Sequence, residues 1–175
     1  MKRELLVGVT GAVSASMIET HLFLLSQIFN LNVILTESSK EFVTKLTLSA
    51  YGEVYDNVFT ENGAPHIILS EKSDGYIILP ATAHTISKIS HGRGDDLLSL
   101  TALAFEKNIL FFPSMNPKMW SNLILQDNVS YLKSKGHKFF MTSKKTYEVT
   151  TKKLIDSDVV LPSPKEVIND VLQNI

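Results

Sequence analysis

Glycine and hydroxyl-bearing side chains cluster directly after the first apolar run of the chain, in the sequence GVTGAVS at residues 8–14. Glycine allows a ligand to approach the backbone closely, and the hydroxyls of Thr10 and Ser14, together with helix-terminal amides, suit a phosphate group. The spacing G-x-G-x-x-G is absent, so the segment is not the dinucleotide-binding fingerprint. A tight turn with a capping Ser or Thr is the alternative interpretation.

Two further segments place small or hydroxyl-bearing residues after an apolar run. Thr36 and Ser38 follow the second run, where Ser38 or Ser39 could bind phosphate or simply cap the next helix. The sequence PATAHT at 80–85 follows the middle run. Its small side chains would admit a flat ring close to backbone amides, which could hydrogen-bond heteroatoms on the ring edge.

An amide and an imidazole complete the set of candidates. Asn116 lies in the sequence PSMNPKMW at 113–120, again just after an apolar run. A packed turn anchored by Met119 and Trp120 is the structural alternative for this segment. His66 precedes an apolar stretch, and a lone histidine is more often a surface or core residue than a catalytic one. The five histidines have no metal-ligand spacing, so no metal site is predicted.

Alternating apolar runs and helical periodicities must position these candidates. Strands are predicted at 5–9, 33–35, 75–79, 109–112 and 158–161. Helices are predicted at about 18–28, 85–91, 95–105, 119–133 and 164–172, and polar loops at 57–65 and 142–153. The alternation predicts a three-layer α/β fold around a mostly parallel sheet. Ligands of such sheets bind at the carboxyl ends of the strands, which is where the four segments lie.

Composition restricts the class of protein. The 175 residues suit one domain over 1–175, and 17 basic against 18 acidic residues give no electrostatic support for binding nucleic acid. No apolar run reaches the roughly 18 residues needed to span a bilayer, and the N-terminus lacks a signal-peptide pattern, so a cytoplasmic location and no membrane partner are expected. The absence of cysteine excludes disulfides, thiolate metal sites and a cysteine nucleophile.

Taken together, these segments resemble the homo-oligomeric flavin-containing cysteine decarboxylases. The two motifs of that family read PASANT and P-x-MN-x-x-MW, and they match residues 80–85 and 113–120 in order, within a resemblance that spans 5–126. The resemblance implies a Rossmann-like, flavodoxin-like fold. It also implies FMN as cofactor, with FAD as the alternative, and a trimer that in some members assembles into a dodecamer.

The resemblance also implies roles for individual residues. His66 would be the active-site base, and Asn116, with Met119, would bind the substrate. The flavin would be lined by Thr10, Gly11, Ala12, Val13, Ser14, Thr36, Ser38, Thr82, Ala83, His84, Thr85 and Ser114. The chain departs from the family pattern at Thr82, which keeps the hydroxyl of a Ser, and at His84, which replaces an Asn. Asp96 replaces an Asn in the segment DDLL at 95–98, and Gly94 stands where that segment has Cys.

The expected reaction is the oxidative decarboxylation of a C-terminal cysteine in a ribosomally made precursor peptide, as in lantibiotic biosynthesis. In this hypothesis His66 accepts the thiol proton while hydride passes from the cysteine Cβ to the flavin N5, and the resulting thioaldehyde loses CO₂ readily. The coenzyme A pathway enzyme of the family then uses a cysteine to protonate the enethiolate. This chain has none, so release of the aminoenethiol is favoured. The stretch at 142–161 is a candidate substrate clamp.

Three alternatives remain at this point. The chain could be a phosphopantothenoylcysteine-type decarboxylase, or a non-catalytic flavin-binding regulatory protein in which His84 and Asp96 reflect drift. A flavin prenyltransferase has a related fold but needs a different motif after the middle strand. For the clamp segment, an ordinary surface hairpin or a disordered loop is the alternative.

Overall fold

A parallel sheet of six strands forms the centre of the protein. The structure is a computed structural model that describes residues 2–59, 63–148 and 151–175. The sheet strands are β1 (Glu4–Val9), β2 (Asn30–Leu35), β3 (Glu53–Tyr55), β4 (Gly75–Ala81), β5 (Ile109–Pro113) and β6 (Lys138–Phe139). Their spatial order is β3-β2-β1-β4-β5-β6, and every neighbouring pair is parallel.

Helices cover both faces of this sheet. They are α1 (Ile18–Ser26), α2 (Lys45–Leu48), α3 (Pro65–Lys72), α4 (Ala83–Ser90), α5 (Leu97–Ala104), α6 (Pro117–Trp120), α7 (Leu123–Ser134) and α8 (Pro164–Asn174), with 3-10 turns at Val13–Met17 and Glu37–Glu41. One apolar core lies between the sheet and α1 and α8, and a second lies between the sheet and α3, α4, α5 and α7. The predicted three-layer, flavodoxin-like α/β fold is therefore confirmed.

The central strands consist mostly of apolar residues because both of their faces are covered. Successive residues of β1 alternate between the two cores, with Leu5 and Val7 in one and Leu6 in the other. In β4, Ile77 and Tyr76 divide in the same way. This arrangement explains why continuous apolar runs, without alternation, marked these strands in the sequence.

The helix predicted at 119–133 is in fact two helices. α6 ends at Trp120 and α7 begins at Leu123. Asn122 lies between them, and its side-chain oxygen accepts hydrogen bonds from the backbone N–H groups of Ile124 and Leu125. An asparagine that caps a helix in this way starts a new helix where a continuous periodicity indicated one long helix.

The predictions for residues 142–161 are also corrected. Instead of a loop at 142–153 and a strand at 158–161, β7 (Thr142–Glu148) and β8 (Lys153–Val160) form an antiparallel hairpin outside the main sheet. Its strands are polar because only one face packs on the protein, and polarity alone suggested a loop. Residues 149–150 of the candidate clamp lie outside the described residues.

Several short elements were not predicted from the sequence. They are β3, β6, α2 and α3, together with the two 3-10 turns. The stretch predicted as a loop at 57–65 includes residues 60–62, which lie outside the described residues, and its last residue is already the first residue of α3. Pro65 suits the first position of a helix, because the N–H of that position has no partner within the helix and its absence in proline costs nothing.

Candidate active site

Four of the predicted segments meet at the carboxyl edge of the sheet, in the loops that follow β1, β2, β4 and β5. Thr10 is the centre of this meeting point and is almost completely buried. Its hydroxyl donates to the carbonyl of Pro80 at 2.7 Å and accepts from the backbone N–H of Thr82 at 3.2 Å. One side chain therefore holds the turn after β1 against the turn after β4.

Gly11 joins the turn after β1 to the one after β2. A Cβ placed on Gly11 would lie 2.6 Å from the Cβ of Ser38 and 2.8 Å from its backbone oxygen, so only glycine permits this approach. Thr36 donates from its hydroxyl to the carbonyl of Val9 at 3.2 Å, and its hydroxyl lies 3.4 Å from that of Ser38. Ser39, the other capping candidate, is buried and donates to the Thr36 carbonyl. Ser38 is thus the exposed hydroxyl of the pair.

A third contact connects the turn after β1 with the loop after β5. The hydroxyl of Ser14 donates to that of Ser114 at 2.8 Å, and the backbone N–H of Ser114 donates to the carbonyl of Ala81. Ala12 precedes the 3-10 turn that contains Ser14 and supplies no side-chain cap to it. Backbone amides and hydroxyls, rather than charged groups, therefore line this part of the edge.

The segment PATAHT forms the end of β4 and the first turn of α4. Thr82 caps the helix, since its hydroxyl accepts from the N–H of Thr85 at 3.4 Å, and the two hydroxyls lie 3.1 Å apart. Ala83 is half-buried and His84 is exposed. The capping interpretation and the ligand interpretation of this segment are compatible, because the cap uses Thr82 and leaves the next two side chains at the surface.

A groove of about 520 Å³ runs between α4 and the segment that includes α6 and the start of α7. This volume lies within the range of roughly 300 to 1,000 Å³ that is typical of small-molecule sites. Met119 is half-exposed within it. The groove is lined by Ala83, His84, Ser87, Lys118, Met119, Asn122, Ile124 and Leu125.

Asn116 caps α6 beside this groove. Its side-chain oxygen accepts from the backbone N–H of Lys118 at 2.9 Å, which fixes the orientation of the amide. Its side-chain nitrogen donates to Glu148 Oε1, in β7, at 2.7 Å. Hydrogen bonds from Thr151 and from Asn116, with the nearby charge of Lys118, lower the pKa of the Glu148 carboxyl below its ordinary value. The hairpin therefore reaches the predicted substrate-binding residue.

His66 is the second residue of α3, whose N-terminus lies at the carboxyl edge because helices in parallel α/β units run opposite to the strands. Its ring is half-buried, and its Nδ1 has no hydrogen-bond partner among the described residues. Among the described residues, no hydrogen bond joins His66 to another predicted site residue. In the single chain, His66 therefore lies at the carboxyl edge of the sheet but is not hydrogen-bonded to the Asn116 amide.

Two other histidines have structural roles. His21 is buried with its Nε2 3.0 Å from the carbonyl of Pro162, and burial lowers its pKa. His137 accepts from the backbone N–H of Ile109 at 3.0 Å through its Nδ1, and its pKa is also lowered by burial. Both rings fit the ordinary expectation for a lone histidine.

A cluster of charged side chains connects α4 with the start of α5, and it was not predicted from the sequence. The side chain of Lys88 is only 9% exposed, and its ammonium lies 2.6 Å from Asp95 and 2.7 Å from Asp96. Asp96 also caps α5 through a reciprocal pair of bonds with Ser99. Burial by itself would raise the pKa of Asp96, but the bonds from Lys88 and Ser99 outweigh burial and lower it. The capping box D-x-x-S was the available signal, whereas nothing in the sequence indicated that Lys88 is buried.

Comparison with known proteins places this chain in a family. The family model described as Flavoprotein matches residues 1–175. The epidermin decarboxylase of Staphylococcus epidermidis is 31% identical over 179 residues, covering 99% of this chain and 97% of that protein. A probable phosphopantothenoylcysteine decarboxylase of Streptococcus mutans is 32% identical over 146 residues, covering 79% of this chain and 82% of that protein.

Two solved structures agree with these matches. The decarboxylase EpiD in complex with the substrate peptide DSYTC is 29% identical, with a TM-score of 0.90 over 98% of this chain and 99% of that one. The FMN-dependent cysteine decarboxylase TvaF of thioviridamide biosynthesis is 28% identical, with a TM-score of 0.75 over 80% of this chain and 90% of that one. Within the described ranges, no helix is long and apolar enough to cross a membrane.

Proposed function

The chain belongs to the Flavoprotein family, and we propose that it oxidatively decarboxylates the C-terminal cysteine of a ribosomally made precursor peptide, giving an aminoenethiol. The observation that carries the proposal is the fixed, uncharged amide of Asn116 beside a groove of ligand size. The chain also aligns over nearly its whole length with epidermin decarboxylase, and the peptide bound to EpiD ends in cysteine.

The carboxyl edge fits FMN, because its lining offers hydroxyls and backbone amides to phosphate and ribityl oxygens, and small residues to a flat ring. When bound, FMN supplies a two-electron oxidant for the substrate. Gly11 and Ser38 make their loops meet closely, and Ser14 and Ser114 add a hydroxyl pair. The residues that would hold FMN are Thr10, Gly11, Ala12, Val13, Ser14, Thr36, Ser38, Thr82, Ala83, His84, Thr85 and Ser114.

His66 would accept the proton of the substrate thiol. An imidazole suits this step because the unprotonated nitrogen of its ring accepts a proton. The Nε2 of His21 and the Nδ1 of His137 are engaged in structural bonds, whereas the ring of His66 makes no side-chain hydrogen bond to a described residue and its Nδ1 is buried. The half-buried ring of His66 at the carboxyl edge supports its role as the base.

Asn116 would orient the carboxylate that leaves as CO₂. Loss of CO₂ is hindered if the enzyme binds the carboxylate strongly in the ground state, because that binding must be given up in the transition state. A neutral amide donates a hydrogen bond without the charge of an arginine. The nearest charged donor on the same helix is Lys118, which lines the groove. Met119 would contact the substrate in the same place.

The same comparisons include a probable phosphopantothenoylcysteine decarboxylase, so the second candidate function is decarboxylation of that substrate. Reducing the enethiolate to a saturated thiol requires a proton, which the family's coenzyme A enzyme supplies from a cysteine, and two electrons, which the reduced flavin would return. This chain contains no cysteine, which favours release of the unsaturated product. In a purely regulatory flavin-binding protein, His66 and Asn116 would have no chemical role.

The working protein is proposed to be a cytoplasmic homo-oligomer, either a trimer or a dodecamer assembled from trimers, with residues 1–175 as one flavoprotein domain. Large apolar side chains on the surface of the single chain support association, among them Met17, Phe23 and Leu46. Contact between chains would also bring a neighbour's His66 toward an Asn116. The hairpin of β7 and β8 is proposed as the substrate clamp.

The test is incubation of the flavin-loaded protein with synthetic peptides ending in Cys, followed by mass spectrometry. A loss of about 46 Da, which is CO₂ plus two hydrogens, and bleaching of the flavin absorbance are expected. The matched peptide ending in Ser should be left unchanged. Phosphopantothenoylcysteine is the competing substrate: its turnover with no peptide turnover would favour the second candidate. A protein that does not bind flavin would contradict both candidates.

A further inference from the structure

The amide of Asn116 is already engaged by a carboxylate of the protein itself. Its oxygen accepts from the backbone N–H of Lys118, which leaves the two N–H groups of its nitrogen to contact a ligand. That nitrogen donates to the Oε1 of Glu148 at 2.7 Å. Glu148 lies at the end of β7, in a hairpin that is otherwise separate from the main sheet.

The carboxylate of Glu148 is the same chemical group as the C-terminus of the proposed substrate. We infer that Glu148 occupies the carboxylate-binding amide in the free protein, and that the C-terminal carboxylate of the peptide must displace it. This inference rests on the proposed function. Two carboxylates that both approach one neutral amide repel each other, so occupation by one disfavours occupation by the other.

Glu148 has other partners that can hold it after displacement. The hydroxyl of Thr151 donates to its Oε2 at 2.5 Å. Lys153 stands directly across the hairpin from Glu148 in the strand register. Because Glu148 is near the surface, water can also solvate the released carboxylate. Exchange therefore replaces one hydrogen bond of Asn116 with a similar one and leaves no buried charge without a partner.

This exchange lowers the apparent affinity of Asn116 for every ligand by the same factor, so only a ligand of high intrinsic affinity displaces Glu148. A charged acceptor binds an N–H donor more strongly than a neutral one does. A peptide that ends in a carboxamide, or an internal cysteine, offers only a neutral carbonyl to Asn116 and competes poorly with Glu148. Glu148 thus raises the intrinsic affinity that a chain needs in order to bind, and a free C-terminal carboxylate meets this requirement more readily than a neutral terminus does.

The experiment compares Glu148→Ala and Glu148→Gln with the flavin-loaded wild-type protein. If Glu148 occupies the amide in roughly 70 to 90% of free molecules, its removal should lower the KM for a Cys-terminal peptide about three- to tenfold with kcat little changed. Glu148→Gln keeps a neutral acceptor, so its KM should fall between those of wild type and Glu148→Ala. Glu106→Ala is the matched control, because Glu106 is an exposed carboxylate just before β5, at the opposite edge of the sheet from the site.

A second measurement does not depend on turnover. Peptides ending in Ala, as free acid and as carboxamide, are titrated into the flavin-loaded protein while the flavin absorbance is recorded. Glu148→Ala should tighten the Kd of the acid and the Kd of the carboxamide by a similar factor of about three to ten, because removing Glu148 frees the Asn116 amide for both peptides.

The two measurements separate this inference from the proposed function. If wild type converts the Cys peptide but the KM of Glu148→Ala is unchanged or higher, Glu148 does not compete and the inference is wrong. If wild type converts no Cys peptide, the proposed function fails, and the Ala peptides still test whether Glu148 excludes them. Equal improvement in Glu106→Ala would also overturn the inference, because net charge would then explain the change.

Discussion

Replacing Thr10 with valine tests whether one hydroxyl holds the site together. Valine has nearly the same shape as threonine, so the change removes the hydroxyl and little else. The carbonyl of Pro80 and the N–H of Thr82 each lose a hydrogen bond, of 2.7 and 3.2 Å respectively. The turn after β1 is then no longer tied to the turn that begins α4.

The expected loss of stability follows from these two groups. A buried polar group that loses its partner costs about 1 to 3 kcal/mol. The N–H of Thr82 is only partly buried and can regain a water molecule, so we expect a total of about 3 kcal/mol, mostly from the Pro80 carbonyl. For a chain of this size that corresponds to a decrease in Tm of about 6 to 12 °C.

Thr10→Ser is the matched control, because it keeps the hydroxyl and removes only a methyl group. Its expected cost is about 1 kcal/mol. Thermal unfolding gives both values, and gel filtration followed by absorbance measures how much flavin each variant retains. Thr10→Val should lose flavin and Thr10→Ser should keep it. Equal stability and equal flavin content in the two variants would refute the role assigned to this hydroxyl.

Three other changes have defined outcomes. His66→Asn should keep its flavin but lose conversion of Cys peptides by at least about a hundredfold; full activity would remove His66 from the mechanism. Gly11→Ala should separate the loop from Ser38, costing about 1 to 3 kcal/mol and most of the bound flavin; unchanged flavin affinity would contradict the close approach. Folding lowers the pKa of Asp96, so its carboxylate stabilises the folded state at any pH above 3.8, the ordinary pKa that it has in the unfolded chain. This stabilisation is lost as the pH falls through the lower pKa of the folded state. Asp96→Asn, which leaves Lys88 with one carboxylate, should therefore reduce the stability at pH 7 by about 1 kcal/mol and flatten the decrease in Tm below pH 4.

The sequence was sufficient for the fold because the central strands are buried on both faces. Continuous apolar runs identified β1, β2, β4 and β5, and the alternation with helices gave the parallel sheet. The convergence of the functional loops followed from that topology alone, since every parallel strand ends at the same edge. The contacts of Thr10, Gly11 and Ser14 with three other loops could not be read from spacing, because they join residues far apart in the chain.

The errors come from elements whose stability depends on a few specific contacts. Asn122 divides a continuous helical pattern because its side chain satisfies two backbone N–H groups, which periodicity does not register. The hairpin at β7 and β8 is polar, so its composition resembled a loop although cross-strand pairing defines it. Glu148 had no signal at all, since its importance depends on the position of Asn116 in the folded chain.

The departure from the family motif at His84 is explained by the way α4 begins. The cap of this helix uses the hydroxyls of Thr82 and Thr85, and Thr82 is fixed in turn by Thr10. The ring of His84 is exposed and faces the groove, so the shape of the loop does not depend on it. His84→Asn, which restores the amide of the motif, should therefore change Tm by an amount equivalent to less than about 0.5 kcal/mol. It should change flavin affinity instead, because an amide offers two N–H donors where a neutral imidazole offers one. Thermal unfolding and flavin titration of this variant measure the two effects separately, and a large decrease in Tm with unaltered flavin affinity would show that His84 supports the loop.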